Sequence, residues 1–125
     1  VTLLDFILTV GSGDLSMFYF TTHTSELGMA VEFFEYSENG QDARDNRYNY
    51  YLYTMGYNPD WIDVGNATGY GYFIGVTTAG LQHWCTDLEE TMVFGHGCCS
   101  SSLVSYWNNP LVYCGFNSYV PMSFW

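Results

Sequence analysis

At 125 residues the chain holds the mass of one domain with one core, and two arginines, no lysine and thirteen carboxylates give it a formal charge of −11. That balance excludes nucleic acid and anionic lipid as partners, because both are bound through Lys and Arg that displace counterions. It does not imply disorder: 12% of residues are charged against 48% hydrophobic and 20% aromatic, so burial can offset the entropy of ordering.

Read at period two, Val1–Val10 is a strand in which Leu4, Phe6, Leu8 and Val10 share one apolar face. Gly11-Ser12-Gly13 follows as a flexible hinge, with Gly11 and Gly13 free to redirect the backbone. This divides the chain into an N-terminal strand and hinge over 1–13 and a single β-rich domain over 14–125. No tight hairpin signal joins Val10 to Leu15, so the first segment is free to complete a neighbouring copy's sheet as a donor strand.

Leu15–Thr22 reads as a second strand and Gly28–Tyr36 as a third, where Glu32 and Glu35 break the alternation as a bulge or an edge does. Ser37–Arg47, the most polar run, reads as an exposed loop, and the tyrosine-rich Tyr48–Tyr57 as a strand. Pro59-Asp60-Trp61 marks a turn, Gly69–Thr78 a glycine-punctuated strand, and Ala79-Gly80 another turn. Leu81–Thr86 and Thr91–Phe94 flank Asp87–Glu90, where Thr86 and Glu89 have capping-box spacing suited to one helical turn or a loop. Leu103–Trp107, Leu111–Phe116 and Tyr119–Trp125 are the last strand candidates. No period of 3.6 persists over three turns. The expected fold is therefore all-β: an antiparallel β-sandwich, or a small barrel, of about eight short strands.

The four cysteines, Cys85, Cys98, Cys99 and Cys114, fall in the last third and predict disulfides that staple it. A bridge between adjacent Cys98 and Cys99 strains the peptide between them, so each is expected to bond Cys85 or Cys114, in either of two orders. Bridges imply an oxidising, extracellular compartment. A start at Val1 without methionine reads as a mature product whose targeting segment has been removed. Asn66-Ala67-Thr68 is a glycosylation sequon. No apolar run approaches the ~20 residues of a membrane-spanning helix.

Chemistry-bearing patterns are sparse. His83-x-Cys85 and His96-x-Cys98, if on adjacent strands, would converge as a tetrahedral zinc set, but disulfide cysteines beside incidental histidines explain them better. Glu38, Asn39, Asp42 and Asp45 in one run, and Asp60 with Asp63 in another, have oxygen ligands suited to calcium without the order of an EF-hand. No metal or cofactor is expected. The paired carboxylates Asp60/Asp63 and Glu89/Glu90 fit no placed cleft, His23 between threonines reads as a surface or rim residue, and no catalytic motif occurs, so an enzyme is not expected.

Trp61, Trp84, Trp107 and Trp125 with the tyrosines suit core, subunit contacts or a sugar platform. The expected function is a secreted extracellular structural subunit. It would self-assemble into a filament or surface layer through its N-terminal strand and aromatic contacts. The alternative is a secreted carbohydrate-binding, lectin-like sandwich. The corresponding partners are further copies of the chain, as a homo-oligomer or polymer, or a glycan.

Overall fold

Thr2 begins a helix where a strand was expected. The computed structural model describes residues 1–67 and 70–119. Its first element is helix α1, Leu3–Val10, opened by a capping box: the Thr2 hydroxyl accepts from Asp5 N–H, and the Asp5 carboxylate accepts from Thr2 N–H. At 3.6 residues per turn the inward positions become Leu3, Phe6 and Val10, all buried, while Leu8 is 72% exposed and Leu4 only partly covered. The presumed common face of Leu4, Phe6, Leu8 and Val10 therefore does not exist. Gly11 is the C-cap of this helix, its N–H donating to the Ile7 carbonyl, rather than the start of a departing strand.

Two sheets follow. Strand β1, Met17–Thr21, pairs in parallel with β6, Met92–His96, and β6 pairs in parallel with β7, Val112–Cys114. The second sheet is antiparallel, in the order β2 (Thr24–Ser25), β3 (Gly28–Phe34), β5 (Gly71–Thr77), β4 (Ile62–Ala67). The interruption expected near Glu32 is present as a register shift between Ala30 and Glu32. Between β3 and β4 runs helix α2, Glu38–Asn49, which passes into a π-helical turn at Tyr50–Thr54. Helix α3, Thr78–Trp84, follows β5 directly, with the Thr77 hydroxyl capping Gly80 N–H. A 3₁₀ helix, Ser100–Trp107, carries the chain from β6 to β7.

The all-β expectation is thus overturned: helices and strands are both extensive, and the three-stranded sheet is parallel. Parallel pairing of β1 with β6 needs a crossover, and the whole antiparallel sheet with α2 and α3 supplies it. Ser37 accounts for the polar run expected as a loop, since its hydroxyl accepts Gly40 N–H and starts α2. Tyr48–Tyr57, expected as a strand, instead continues the helical run as far as Thr54. Val120–Trp125, and with them most of the last strand candidate and Trp125, lie outside the described residues.

One core joins these elements. Phe20 stacks on Trp107 at 5.5 Å and an interplanar angle of 7°, and its ring covers Gly95 on the next strand. Phe6 approaches Phe18 edge-on at 6.0 Å and Trp107 at 6.4 Å, so α1 belongs to the same core. Buried beside it, Glu32, 5% exposed, accepts hydrogen bonds from Leu3 N–H (3.1 Å) and the Tyr51 hydroxyl (2.6 Å) and pairs with the partly exposed Arg47 at 3.4 Å. This buried charge is paired and hydrogen-bonded, as burial requires.

The expected disulfides are absent: all four cysteines carry free thiols. Cys85 is fully buried at the end of α3, where Asn108 Nδ2 donates to its carbonyl, while Cys98, Cys99 and Cys114 lie at the carboxyl edge of the parallel sheet. The predicted stapling therefore has no geometry to support it. Among the described residues no helix is long and apolar enough to cross a membrane.

Candidate active site

In open sheets with parallel strands, ligands bind beyond the carboxyl ends of the strands. Here those ends gather an unusual set of side chains. Strand β1 runs out into Thr22-His23-Thr24, β6 ends at His96 and continues as Gly97-Cys98-Cys99, and β7 ends at Cys114. The register sets Thr21 against His96. The Thr22 N–H donates to the His96 carbonyl at 3.2 Å, and the Thr24 hydroxyl donates to the Cys98 carbonyl at 2.5 Å. His23 and Cys98 each lie two residues past the last ladder pair, on segments that these two bonds tie together.

The approach of these two loops depends on Gly97. A Cβ there would lie 2.4 Å from the Thr24 hydroxyl oxygen and 2.6 Å from the Thr22 carbonyl, so any side chain would push the His23 and Cys98 segments apart. Beyond Cys98 the chain turns sharply. Cys99 adopts φ +55°, in the left-handed region that non-glycine residues seldom occupy, and the 3₁₀ helix begins at the next residue. The turn leaves Cys98 at the apex of a strand-to-helix corner. Strain of this kind is found preferentially at functional sites.

Behind the corner, buried Ser100 fixes the loop to β7. Its hydroxyl donates to the Gly95 carbonyl (2.8 Å) and accepts from Phe116 N–H (2.9 Å), while its carbonyl accepts from the Tyr113 hydroxyl (2.6 Å). Cys99 N–H donates to Ser118 O and Ser101 N–H to Phe116 O, each at 3.0 Å. Three strand ends are thereby held as one rigid rim, the support a reactive constellation needs.

Two imidazoles lie on this rim. His23 is partly covered by Phe33 and Tyr70, with ring centroids 6.1 and 6.0 Å away, and desolvation there holds its pKa below the ordinary 6.5. It is therefore neutral near pH 7 and competent to accept a proton. His96 Nδ1 lies 3.2 Å from the Tyr19 hydroxyl, and its ring packs on Phe116 at 5.3 Å. Cys98 and Cys99 are partly exposed and Cys114 exposed. Cys85 is the contrast, since burial pushes its thiol up to about 12 and keeps it protonated.

The residues singled out from sequence scatter. His83 stacks on Trp61 at 3.6 Å and Cys85 is in the core, so the four proposed zinc ligands are not assembled. Glu38, Asn39, Asp42 and Asp45 lie on α2, Asp60 in a 3₁₀ turn and Asp63 on β4. Among the described residues no group of three His, Cys, Asp or Glu side chains is arranged to hold a metal. Asn66 is exposed near the end of edge strand β4, with Thr68 of its sequon outside the described residues. Of the tryptophans, Trp107 and Trp84 are core residues, and Trp61 packs beside Trp84 and His83.

Sequence reasoning missed the joining of the His23 and Cys98 segments. Each lies two residues beyond a strand end, but only parallel pairing of two distant strands joins those ends, and nothing local encodes that pairing. Comparison with protein-family models, curated proteins and solved structures found no match for this chain.

Proposed function

We propose that the chain carries a cysteine-dependent acyl-transfer site of the peptidase type, with Cys98 as nucleophile and His23 as its base. One observation supports this reading: β1 and β6 run parallel to their last ladder pair, Thr21 with His96, and the Thr22–His96 and Thr24–Cys98 bonds hold together the two loops that carry His23 and Cys98. A nucleophile and a neutral imidazole on adjacent rigid elements are the minimal parts of thiol catalysis. His23 is favoured over His96 as base because it lies on the neighbouring segment, one residue from the Thr24 hydroxyl that bonds the Cys98 carbonyl, whereas His96 precedes Cys98 by two residues on the same segment.

The chemistry is a two-step displacement. His23 takes the Cys98 thiol proton, and the thiolate attacks an amide carbonyl. Collapse breaks the C–N bond, with the proton passing from His23 to the leaving amine, and leaves a thioester on Cys98. Water, deprotonated by His23, then attacks the thioester, giving a carboxylic acid and restoring the thiol. No oxidant or cofactor enters. This reading replaces the expectation of a non-enzymatic assembly subunit, whose donor strand is instead the core-packed helix α1.

Site-resolved alkylation tests it. Native protein is treated with iodoacetamide at pH 7 and mapped by mass spectrometry. Cys98 is expected to react at least about tenfold faster than Cys99 or Cys114, with His23→Ala removing that advantage and leaving Cys114 unchanged. Equal rates at the three thiols, or loss of the advantage only in His96→Ala, would overturn the assignment.

A further inference from the structure

We infer that the groove beside His23 receives a basic side chain, lysine- or arginine-like, of a peptide substrate; this rests on the reading of His23 and Cys98 as the reacting pair. The groove holds about 170 Å³ and runs across the antiparallel sheet from His23 to Asp63. Its floor is a row of small residues in register, Asp63 on β4 opposite Gly75 on β5, and Gly75 opposite Ala30 on β3. Ala30 N–H donates to the His23 carbonyl at 2.9 Å, so this floor is continuous with the candidate site. Gly75 leaves the depression open, since a Cβ there would stand 2.8 Å from the Met29 carbonyl.

The chemistry of the walls selects a cation. Phe73 lines the groove and touches Phe33 at 6.2 Å, while Phe33 in turn lies against His23. Aromatic faces attract a cationic head and cover an alkyl stem. Asp63 supplies the negative charge at the far end. One of its oxygens accepts its neighbour's Val64 N–H at 2.8 Å, which orients the carboxylate. Neither of the chain's two arginines neutralises it: Arg44 bonds Asp45 and the Gly65 carbonyl, and Arg47 pairs with Glu32. A carboxylate left without a cation, in a groove with aromatic walls and on a chain of net charge −11, is complementary to Lys or Arg and repels acidic side chains.

The test uses Cys98→Ser protein, so that binding is read without thiol chemistry. N-acetyl-arginine amide and N-acetyl-norleucine amide are titrated and followed by NMR at the His23 and Phe73 resonances. The arginine compound is expected to shift both and to bind at least about tenfold more tightly than norleucine. Asp63→Asn should abolish the difference and Asp63→Glu retain it, each with an unchanged melting temperature on this exposed edge. Equal affinity for the two amides, or indifference to Asp63→Asn, overturns the inference. The outcomes separate from the catalytic reading: arginine preference with sluggish Cys98 alkylation keeps the groove and removes the catalyst, whereas fast Cys98 alkylation without arginine preference does the reverse.

Discussion

Substituting Phe6 and Leu8 separately distinguishes a helix from a strand at the N-terminus. In a strand the two residues share a face and respond alike; in α1 they lie some 200° apart on the helix. Phe6 is 4% exposed and touches Phe18 and Trp107, whereas Leu8 is 72% exposed. Phe6→Ala removes a buried ring and leaves a cavity beneath Trp107, a change that costs about 4 kcal/mol. With an unfolding entropy of roughly 2.1 cal/mol/K per residue over this chain, that loss lowers the melting temperature by about 15 °C. Leu8→Ala, at an exposed position with good helix propensity, should stay within about 0.5 kcal/mol of the parent. Urea unfolding followed by tryptophan fluorescence measures both. Equal destabilisation by the two substitutions, or a larger effect at Leu8, would refute the helical docking of α1.

Tyr51→Phe removes the hydroxyl that donates to buried Glu32 at 2.6 Å and should destabilise by roughly 1.5–3 kcal/mol in the same assay, as expected for a hydrogen bond to a charged group. Alkylation in denaturant without reductant should add four carbamidomethyl groups, while native protein should leave Cys85 unmodified. Recovery of fewer than four would restore a disulfide. His23, with its folded-state pKa held below 6.5, contributes stability above pH 6.5 that is lost as pH falls through its lowered value, because the unfolded chain binds the proton more readily. Thermal melts between pH 7.5 and 5 should therefore show a smaller acid loss in His23→Gln than in the parent, and identical profiles would count against the desolvated placement of this ring.

What the sequence disclosed and what it concealed follow from how local each signal is. Strands β1, β3, β5, β6 and β7 are readable as β-branched and aromatic runs between turn residues, and the Glu32 interruption as a bulge or an edge, because these patterns are written within a few neighbours. The run LLDFILTV is apolar enough to fit period 2 and period 3.6 alike, and the deciding feature was the Thr2–Asp5 capping box. Helix α2 has almost no apolar stripe and buries only Gly40, so periodicity carried no signal. Tyr50 and Tyr51, strand-formers by propensity, take a π-helical turn because Tyr51 reaches Glu32 and stacks on Tyr57 at 6.0 Å. At the candidate site the local pattern around Cys98 suggests only metal binding or a disulfide, and that around His23 only a surface or rim residue, because the bonds that join their segments are a product of tertiary pairing.

Thr24 and Cys98, the bonded residues that join the two halves of the site, are 74 positions apart in the chain. Between them lie α2, α3 and the rest of the four-stranded sheet, all of which must be traversed before β6 can pair with β1. Closing so long a span costs entropy before any contact is gained, which makes long-range parallel pairing a late event in folding. The segments that carry His23 and Cys98 are therefore joined only when folding is nearly complete, and a nascent or truncated chain that ends before residue 98 cannot form the Thr24–Cys98 bond. The order of elements along the polypeptide thus makes an intact rim the mark of a finished fold.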